Sequence, residues 1–466
     1  MYFGKLFVVL ASLSSVLALN GCATYSNSFA TVEHQLSGQQ YDDALKTIES
    51  QSKDKKDRVL YLLNKGMVQR MKRDFVASNE SLEAAKQEME RLYAASVSQN
   101  ALSVVVNDAT VSYAGDDYEQ VLVHLYMALN YLELGQPYEA RVEALQIDIK
   151  LREIEEKIPS SKFTEDALSR YLAGMIYDEL GEWSDAMIAY RKAYEAYKNY
   201  QTNYSMPMPP MLKHDLVRLA QREGLTDELA QYQKEFGIEP TKPAQPANKK
   251  IDNGEPEGEL VFILNNGLAP IKREEMIRAW APPPSVVVNA TRRSSYQNAN
   301  PTPPVLVNIA LPYYQSRPNR VTYARISVSG RQADTQMMED IDGIARASLK
   351  AHMPAITARS IARAIAKGAV QESVDRAGQN RDDAGAQLIG SLLVRVAAIA
   401  TERADTRSWL TLPANVQMAR LALPPGSYDV AVELLGNSGQ VVETRTFPQV
   451  IIRRERKTYL TQHSMP

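Results

Sequence analysis

The sequence has little of what most site chemistry requires. Cys22 is the only cysteine in 466 residues, which excludes a disulfide framework and a thiolate metal site. The five histidines, His34, His124, His214, His352 and His463, fall nowhere at metal-ligand spacing. There is no Gly-x-Ser-x-Gly, no His-Glu-x-x-His and no glycine-rich phosphate loop. The expectation is therefore no enzyme, no catalytic residue, no metal and no cofactor. A net charge of -2 and a pI near 6.3 leave no cationic excess for nucleic acid. Beyond residue 21 no apolar run is long and uncharged enough to span a bilayer. What remains is an ordinary globular composition, 44% hydrophobic and 23% charged, in a chain long enough for two or three separate cores.

The one long apolar run is N-terminal. Lys5 precedes an apolar stretch from Leu6 to Leu19, shorter than the roughly 20 residues a spanning helix needs and typical of a secretory signal. It ends in Leu19-Asn20-Gly21-Cys22, which resembles the bacterial lipobox. The resemblance implies that residues 1–21 are a lipoprotein signal peptide and that Cys22 becomes the first residue, carrying palmitate-type lipid on its sulfur and amino group. Several acyl chains hold a protein on a membrane stably, since each buried CH₂ contributes about 0.8 kcal/mol. In enterobacteria-like lipoproteins an aspartate after the cysteine signals retention in the inner membrane; with Ala23 there instead, the resemblance implies the outer membrane, facing the periplasm, as the expected location. The plainer alternative is a secretory signal with an incidental cysteine.

Residues 22–236 read as a helical repeat domain. Four stretches share a pattern: Gly38-Gln-Gln-Tyr41-Asp-Asp-Ala44, Lys72-Arg-Asp-Phe75, Gly135-Gln-Pro-Tyr138-Glu-Ala140 and Gly181-Glu-Trp183-Ser-Asp-Ala186. In each a turn residue is followed by an aromatic and then mostly by a small residue. Gly38 and Lys72 lie 34 apart, the tetratricopeptide period, and the later gaps of 63 and 46 require insertions. The fourth copy also has Tyr177, Leu180, Ala193 and Tyr197 at tetratricopeptide offsets. Glycine permits the tight turn, and Ala193 lets two helices approach closely. Resemblance to tetratricopeptide arrays implies a concave face that receives a peptide or protein partner; the plainer alternative is helix pairs that only support the fold. The tyrosine row Tyr190, Tyr194, Tyr197, Tyr200 reads as core. The β-branched insertion of residues 101–118 is the local candidate for a contact surface. Met206-Pro-Met208-Pro-Pro-Met211-Leu-Lys-His214 has soft ligands suited to Cu(I), although such methionines more often pack.

Residues 237–258, rich in proline and charge, read as a linker. From 259 to 466 the pattern changes to short β runs: 259–264, 285–289, 305–310, 320–328, 416–423, 428–435, 440–447 and 450–460. Bounded by Pro, Gly and Asn, they predict a β-sandwich-like domain. It is interrupted by two or three helices at about 337–404. The fold class is thus multidomain α + β, an N-terminal tetratricopeptide-like α-solenoid followed by a C-terminal β-sandwich-like domain with a helical insertion.

Three segments, Tyr113-Ala-Gly-Asp-Asp-Tyr118-Glu119, Ala404-Asp-Thr-Arg407-Ser-Trp409-Leu-Thr-Leu-Pro413 and Arg456-Lys-Thr-Tyr459-Leu, make the chain resemble a group of bacterial envelope lipoproteins with this two-part architecture. That resemblance bears on location and architecture and implies no activity. Asp405, Arg407 and Trp409 form the densest polar cluster of the second half. Together they are a candidate site for a sugar or peptidoglycan; alternatively Asp405 pairs Arg407 and Trp409 anchors a core. The leading expectation is a scaffold anchored through Cys22 that binds an envelope protein of unknown identity through its repeats. The alternative is a glycan-binding module in the β-rich domain.

Overall fold

The computed structural model describes residues 25–51, 54–98, 111–157, 165–238, 257–281, 305–378 and 403–465. The expected signal segment with Cys22, most of the 101–118 insertion, the interior of the linker, the expected 285–289 strand and the second half of the helical insertion lie outside them.

After a short turn of helix, α1 (Tyr25–Ser28), ten helices among the described residues form five antiparallel pairs: α2 (Ala30–Ser37) with α3 (Tyr41–Gln51), α4 (Arg58–Met71) with α5 (Phe75–Ser98), α6 (Asp117–Glu133) with α7 (Pro137–Lys157), α8 (Ala167–Glu179) with α9 (Trp183–Tyr204), and α10 (Pro210–Arg222) with α11 (Thr226–Phe236). Each pair turns in the same way. One residue takes the left-handed conformation, and the N–H of the next reaches back five residues to a carbonyl of the first helix: Gln40 to Gln35, Asp74 to Gln69, Gln136 to Tyr131, Glu182 to Tyr177 and Leu225 to Ala220, at 2.8–2.9 Å. This closure satisfies carbonyls that the helix end leaves open.

The left-handed residues are Gln39, Arg73, Gly135, Gly181 and Gly224. Gly38, expected to make the first turn, has φ -84; the hydrogen bond from Gln40 requires the residue just before it, Gln39, to take the positive φ. Counting five on from each left-handed residue reaches Ala44, Ser78, Ala140 and Ala186, all fully buried. This is the conserved geometry of the array: a small side chain where the second helix crosses its neighbours. The fifth pair, not anticipated, has half-buried Leu229 there, and no sixth pair follows among the described residues.

The aromatics expected to pack beside the turns behave unequally. Phe75 is buried and Tyr41 half-buried, whereas Tyr138 and Trp183 are exposed. Tyr138 comes one residue later after its turn than Phe75 does, and one residue rotates a side chain by about 100° around a helix. Trp183 carries the Arg222 guanidinium over its ring, 3.4 Å from the centroid. Ala193 is buried as expected, but the closest crossing is made by Gly174, where a Cβ would stand 2.3 Å from the Tyr190 ring.

The described residues of the second half form ten strands: β1 (Gly258–Asn266), β2 (Ile271–Ala281), β3 (Val305–Gln315), β4 (Tyr323–Val328), β5 (Arg331–Asp334), β6 (Gln336–Asp340), β7 (Asn415–Leu423), β8 (Gly426–Leu435), β9 (Val441–Ile452) and β10 (Lys457–Ser464). An inner sheet runs β10-β1-β7-β6, an outer sheet β5-β4-β8-β9, and β2-β3 form a separate ribbon. Only β1 and β10 pair parallel among the described strands. The two sheets enclose a core of Leu260, Phe262, Leu264, Ile326, Val432 and Leu434. Two runs expected to break at Pro448 are arranged otherwise: β9 continues through it with a bulge, where Phe447 pairs Val430 and Val450 pairs Tyr428 and Gln449 takes a positive φ, and a proline is tolerated at such a bulge on an edge strand. The break falls at 453–456.

The helical insertion begins later than expected, since 336–340 is strand β6, and its described part is one helix, α12 (Ile341–Gly378), which continues through Pro354. No helix among the described residues is long and apolar enough to cross a membrane.

Candidate functional site at the helix–sheet seam

β1 is nearly continuous in apolar residues, which predicts burial on both faces. Its Leu260, Phe262 and Leu264 enter the sandwich core, while Val261 and Ile263 join the helical core together with Met338, Val416, Met418 and Tyr459. The inner sheet therefore lies against the helices. The helices it meets are chiefly the first members of pairs two to five, the side that forms the concave surface of such an array. The groove expected to receive a partner is filled by the chain's own sandwich.

Polar groups fix this seam. Asn64 of α4 accepts from the Thr411 N–H at 3.1 Å and its hydroxyl at 2.9 Å, and donates to the Tyr25 hydroxyl at 2.7 Å. Arg70, one turn and a half on, donates to Asn130 and, at 3.0 Å, to Thr461 Oγ1; Phe75 and Tyr126 flank its guanidinium. From α6, Tyr126 donates to Asn265 at 3.1 Å. From α8, the Leu168 N–H donates to Glu339 at 3.1 Å. At the far end Arg420 of β7 donates to Asp215 of α10, to the Tyr171 hydroxyl at 2.8 Å and to Glu259 at 2.7 and 3.0 Å. Beside it Asp178 takes Arg218 at 2.6 Å and Lys457 at 3.3 Å.

The segment 404–413 enters the same seam. Arg407 pairs Asp405 at 2.8 Å and Asp57 at 3.1 Å, donates to the Val111 carbonyl at 2.8 Å, and stands over the Tyr113 ring. Trp409 is 1% exposed and packs edge-on to Tyr126. Asp405, Arg407 and Trp409 are thus brought together, but as an anchor between halves: the indole offers no face to a sugar. The three segments that carry the resemblance to envelope lipoproteins, around Tyr113, Trp409 and Tyr459, all lie at this seam.

Glu119 is the hub of that anchor, and sequence reasoning quoted it only inside a motif. Its carboxylate accepts from the Trp409 N–H at 2.7 Å, the Asp116 N–H at 3.1 Å and the Tyr113 hydroxyl. Burial, then the Asp116 carboxylate, push it up to about 7 against those donors. An unfolded glutamate releases its proton near 4.5, so between these values the folded state holds the extra proton. The stability this group contributes is full below about 4.5 and falls as pH rises to about 7. Comparing urea midpoints of the unmutated chain and Glu119→Gln across that window isolates the group from other titrations. The advantage of the unmutated chain is expected to shrink with rising pH; a difference independent of pH would refute the assignment.

A cavity of about 240 Å³ opens beside this hub, between the start of α6, the β2–β3 ribbon and α12. Its wall includes Asp116, Lys272, His352, Arg359, Arg363 and Asp405. Lys272 is buried and paired with Asp116 at 3.0 Å, so these two lining charges are engaged in holding the seam. A larger, open groove is lined by Met211, His214, Arg325, Asp334 and Arg420. Met206 is buried in the helical core instead, which sets apart the soft ligands considered for Cu(I). Among the described residues no three His, Cys, Asp or Glu side chains are placed to hold a metal.

No protein-family model matches the chain, and no curated protein matches it. Several solved structures align with part of it at low similarity. A crystal structure of MamA is 16% identical, with a TM-score of 0.28, covering 44% of this chain and 91% of that one. The apo form of RapI is 13% identical with a TM-score of 0.34, covering 50% and 58%. A tetratricopeptide repeat protein from Parabacteroides merdae is 13% identical with a TM-score of 0.30, covering 46% and 68%. The repeat assignment here rests on the five identical turns and the buried small residues.

Proposed function

We propose that this chain is a non-enzymatic scaffold, held at the periplasmic side of an outer membrane by lipid on Cys22, that binds another envelope protein. The observation that carries the reading is the surface left by the seam. With the inner face of the array closed by the sandwich, the second helices form the outward side, and they carry exposed apolar residues: Val76 on α5, Tyr138, Val142, Leu145 and Ile149 on α7, Ile188 on α9. Rows of this kind mark contact surfaces. The partner would thus meet the outer side of the repeats. The lipobox at Leu19–Cys22 supports the anchor.

The test replaces Cys22 by Ser and compares fractionation and crosslinked partners with the unmutated chain. Release from the membrane fraction with loss of one reproducible partner is the expected result. Retention on the membrane, or the absence of any reproducible partner in either chain, would refute the reading.

A further inference from the structure

The second helix of the third pair, α7, is apolar on two sides. Ala140, Ala144, Ile147, Leu151 and Ile154 are buried against its neighbours. On the opposite side Tyr138, Val142, Leu145 and Ile149 are 70, 53, 42 and 41% exposed. Steps of four, three and four residues keep them on one line, about 16 Å long at 1.5 Å per residue. This is the spacing of a coiled-coil seam, with β-branched Val142 and Ile149 alternating with Leu145. Ile188 of α9, 49% exposed, widens the row. Arg141 reaches Glu182, and Lys192 reaches Asp148 at 2.5 Å, which brings Ile188 alongside its middle.

We infer that this row receives the same row of a second copy, the two α7 helices running antiparallel about a two-fold axis. The flanking charges favour this occupant. Arg141 and Asp148 border the row on one side, seven residues apart. Antiparallel pairing brings Arg141 of each copy to Asp148 of the other, twice about the axis, as an isologous contact requires. Parallel pairing would put Arg141 of one copy and Asp148 of the other on opposite edges of the seam, out of reach of each other. The same register puts Val142 opposite Leu145 and Tyr138 opposite Ile149, so each apolar side chain meets another. Arg141 and Asp148 also have partners within the chain, Arg141 at Glu182 and Asp148 at Arg152, Arg170 and Lys192. As rim charges they set orientation more than affinity. The row is short for a permanent interface, which typically buries upward of about 1,200 Å² in total, so the dimer is reversible. It uses part of the outward face on which the proposed function places an envelope partner, so the two occupants would compete for this row, but it requires only this chain and is tested without that partner.

Sedimentation velocity on the full chain carrying Cys22→Ser, over about 1–200 µM, tests it. A dimer is expected to grow with concentration, and Leu145→Glu to stay monomeric at the highest concentration with an unchanged Tm, because the position is exposed. Orientation is read by oxidation of chains whose only cysteine is introduced. Val142→Cys mixed with Leu145→Cys should give the mixed disulfide. Tyr138→Cys alone should give little, since its two copies lie about 16 Å apart along the pair. A monomer at every concentration, a dimer that survives Leu145→Glu, or crosslinking strongest at the most exposed position, Tyr138, would overturn the inference. Capture of another protein's helix by the row of a monomeric chain would overturn it too.

Discussion

Arg420→Ala is expected to lower the unfolding free energy by about 3–5 kcal/mol, the cost of leaving buried charge without its partner. Arg420 extends from β7 across the seam to Asp215 on α10 and also holds Glu259 on the neighbouring strand. Burial works to raise the Asp215 carboxyl, but the Arg420 and Arg218 guanidiniums outweigh it and hold it down at about 2. Its contribution is therefore present above the ordinary aspartate value of 3.8 and lost as pH falls from there toward 2. Without Arg420 the carboxyl keeps only Arg218, at 3.2 Å, and the Tyr171 hydroxyl, at 2.7 Å. Two further observations separate charge from packing. Adding Asp215→Asn to the variant should recover part of the loss, because one uncompensated charge disappears. The deficit should also narrow in acid as Asp215 protonates in the variant first. Urea unfolding that shows less than about 1 kcal/mol between Arg420→Ala and the unmutated chain would place this pair among weak surface contacts.

Trp409→Ala is expected to cost about as much, 3–5 kcal/mol by the measure of large-to-small changes in cores. The ring stands 6.0 Å from Tyr126, edge to face, its Nε1–H donates to Thr411 Oγ1 at 3.0 Å, and its backbone N–H ties the segment to Glu119. Removing it opens a cavity between an element of the sandwich half and the first helix of pair three, where both sides are rigid and collapse is limited. Fluorescence gives an independent readout. Of the three tryptophans, Trp183 and Trp280 are exposed and Trp409 is buried, so the blue-shifted part of the emission should vanish with Trp409→Ala. If the variant kept its stability and the unmutated chain's emission were quenched by glycan fragments, the indole would be a binding face after all.

Much of the fold was legible in the sequence because it depends on local pattern. The runs at 259–264, 305–310, 416–423 and 428–435 alternate or stay apolar at strand spacing and became β1, β3, β7 and β8. β2 was missed because Lys272-Arg-Glu-Glu275 interrupts its apolar residues with charges that β3 and the rest of the seam accommodate. The fifth helix pair was missed because Gly224 is followed by neither an aromatic nor a small residue. For the seam a signal was present: Asn64 and Arg70 fall among Leu60, Leu63, Met67 and Met71, polar groups inside the apolar stripe of α4. Buried polar residues need partners, and that requirement marked the stripe as a contact with something specific.

What the sequence by itself determined is which faces seek burial: the small residues five after four of the turns, the doubly apolar β1, the outward row on α7. Periodicity reports that a side must be covered and nothing about what covers it. The tertiary structure decided that the array's inner face is closed by its own sandwich. It also turned Asp405, Arg407 and Trp409 into an anchor, and joined Arg70 to Thr461 across 391 positions of the chain. Such pairings depend on register between elements formed far apart. A glutamate such as Glu119 reads as an ordinary first-turn residue of a helix until the Trp409 N–H arrives from a segment 290 positions away.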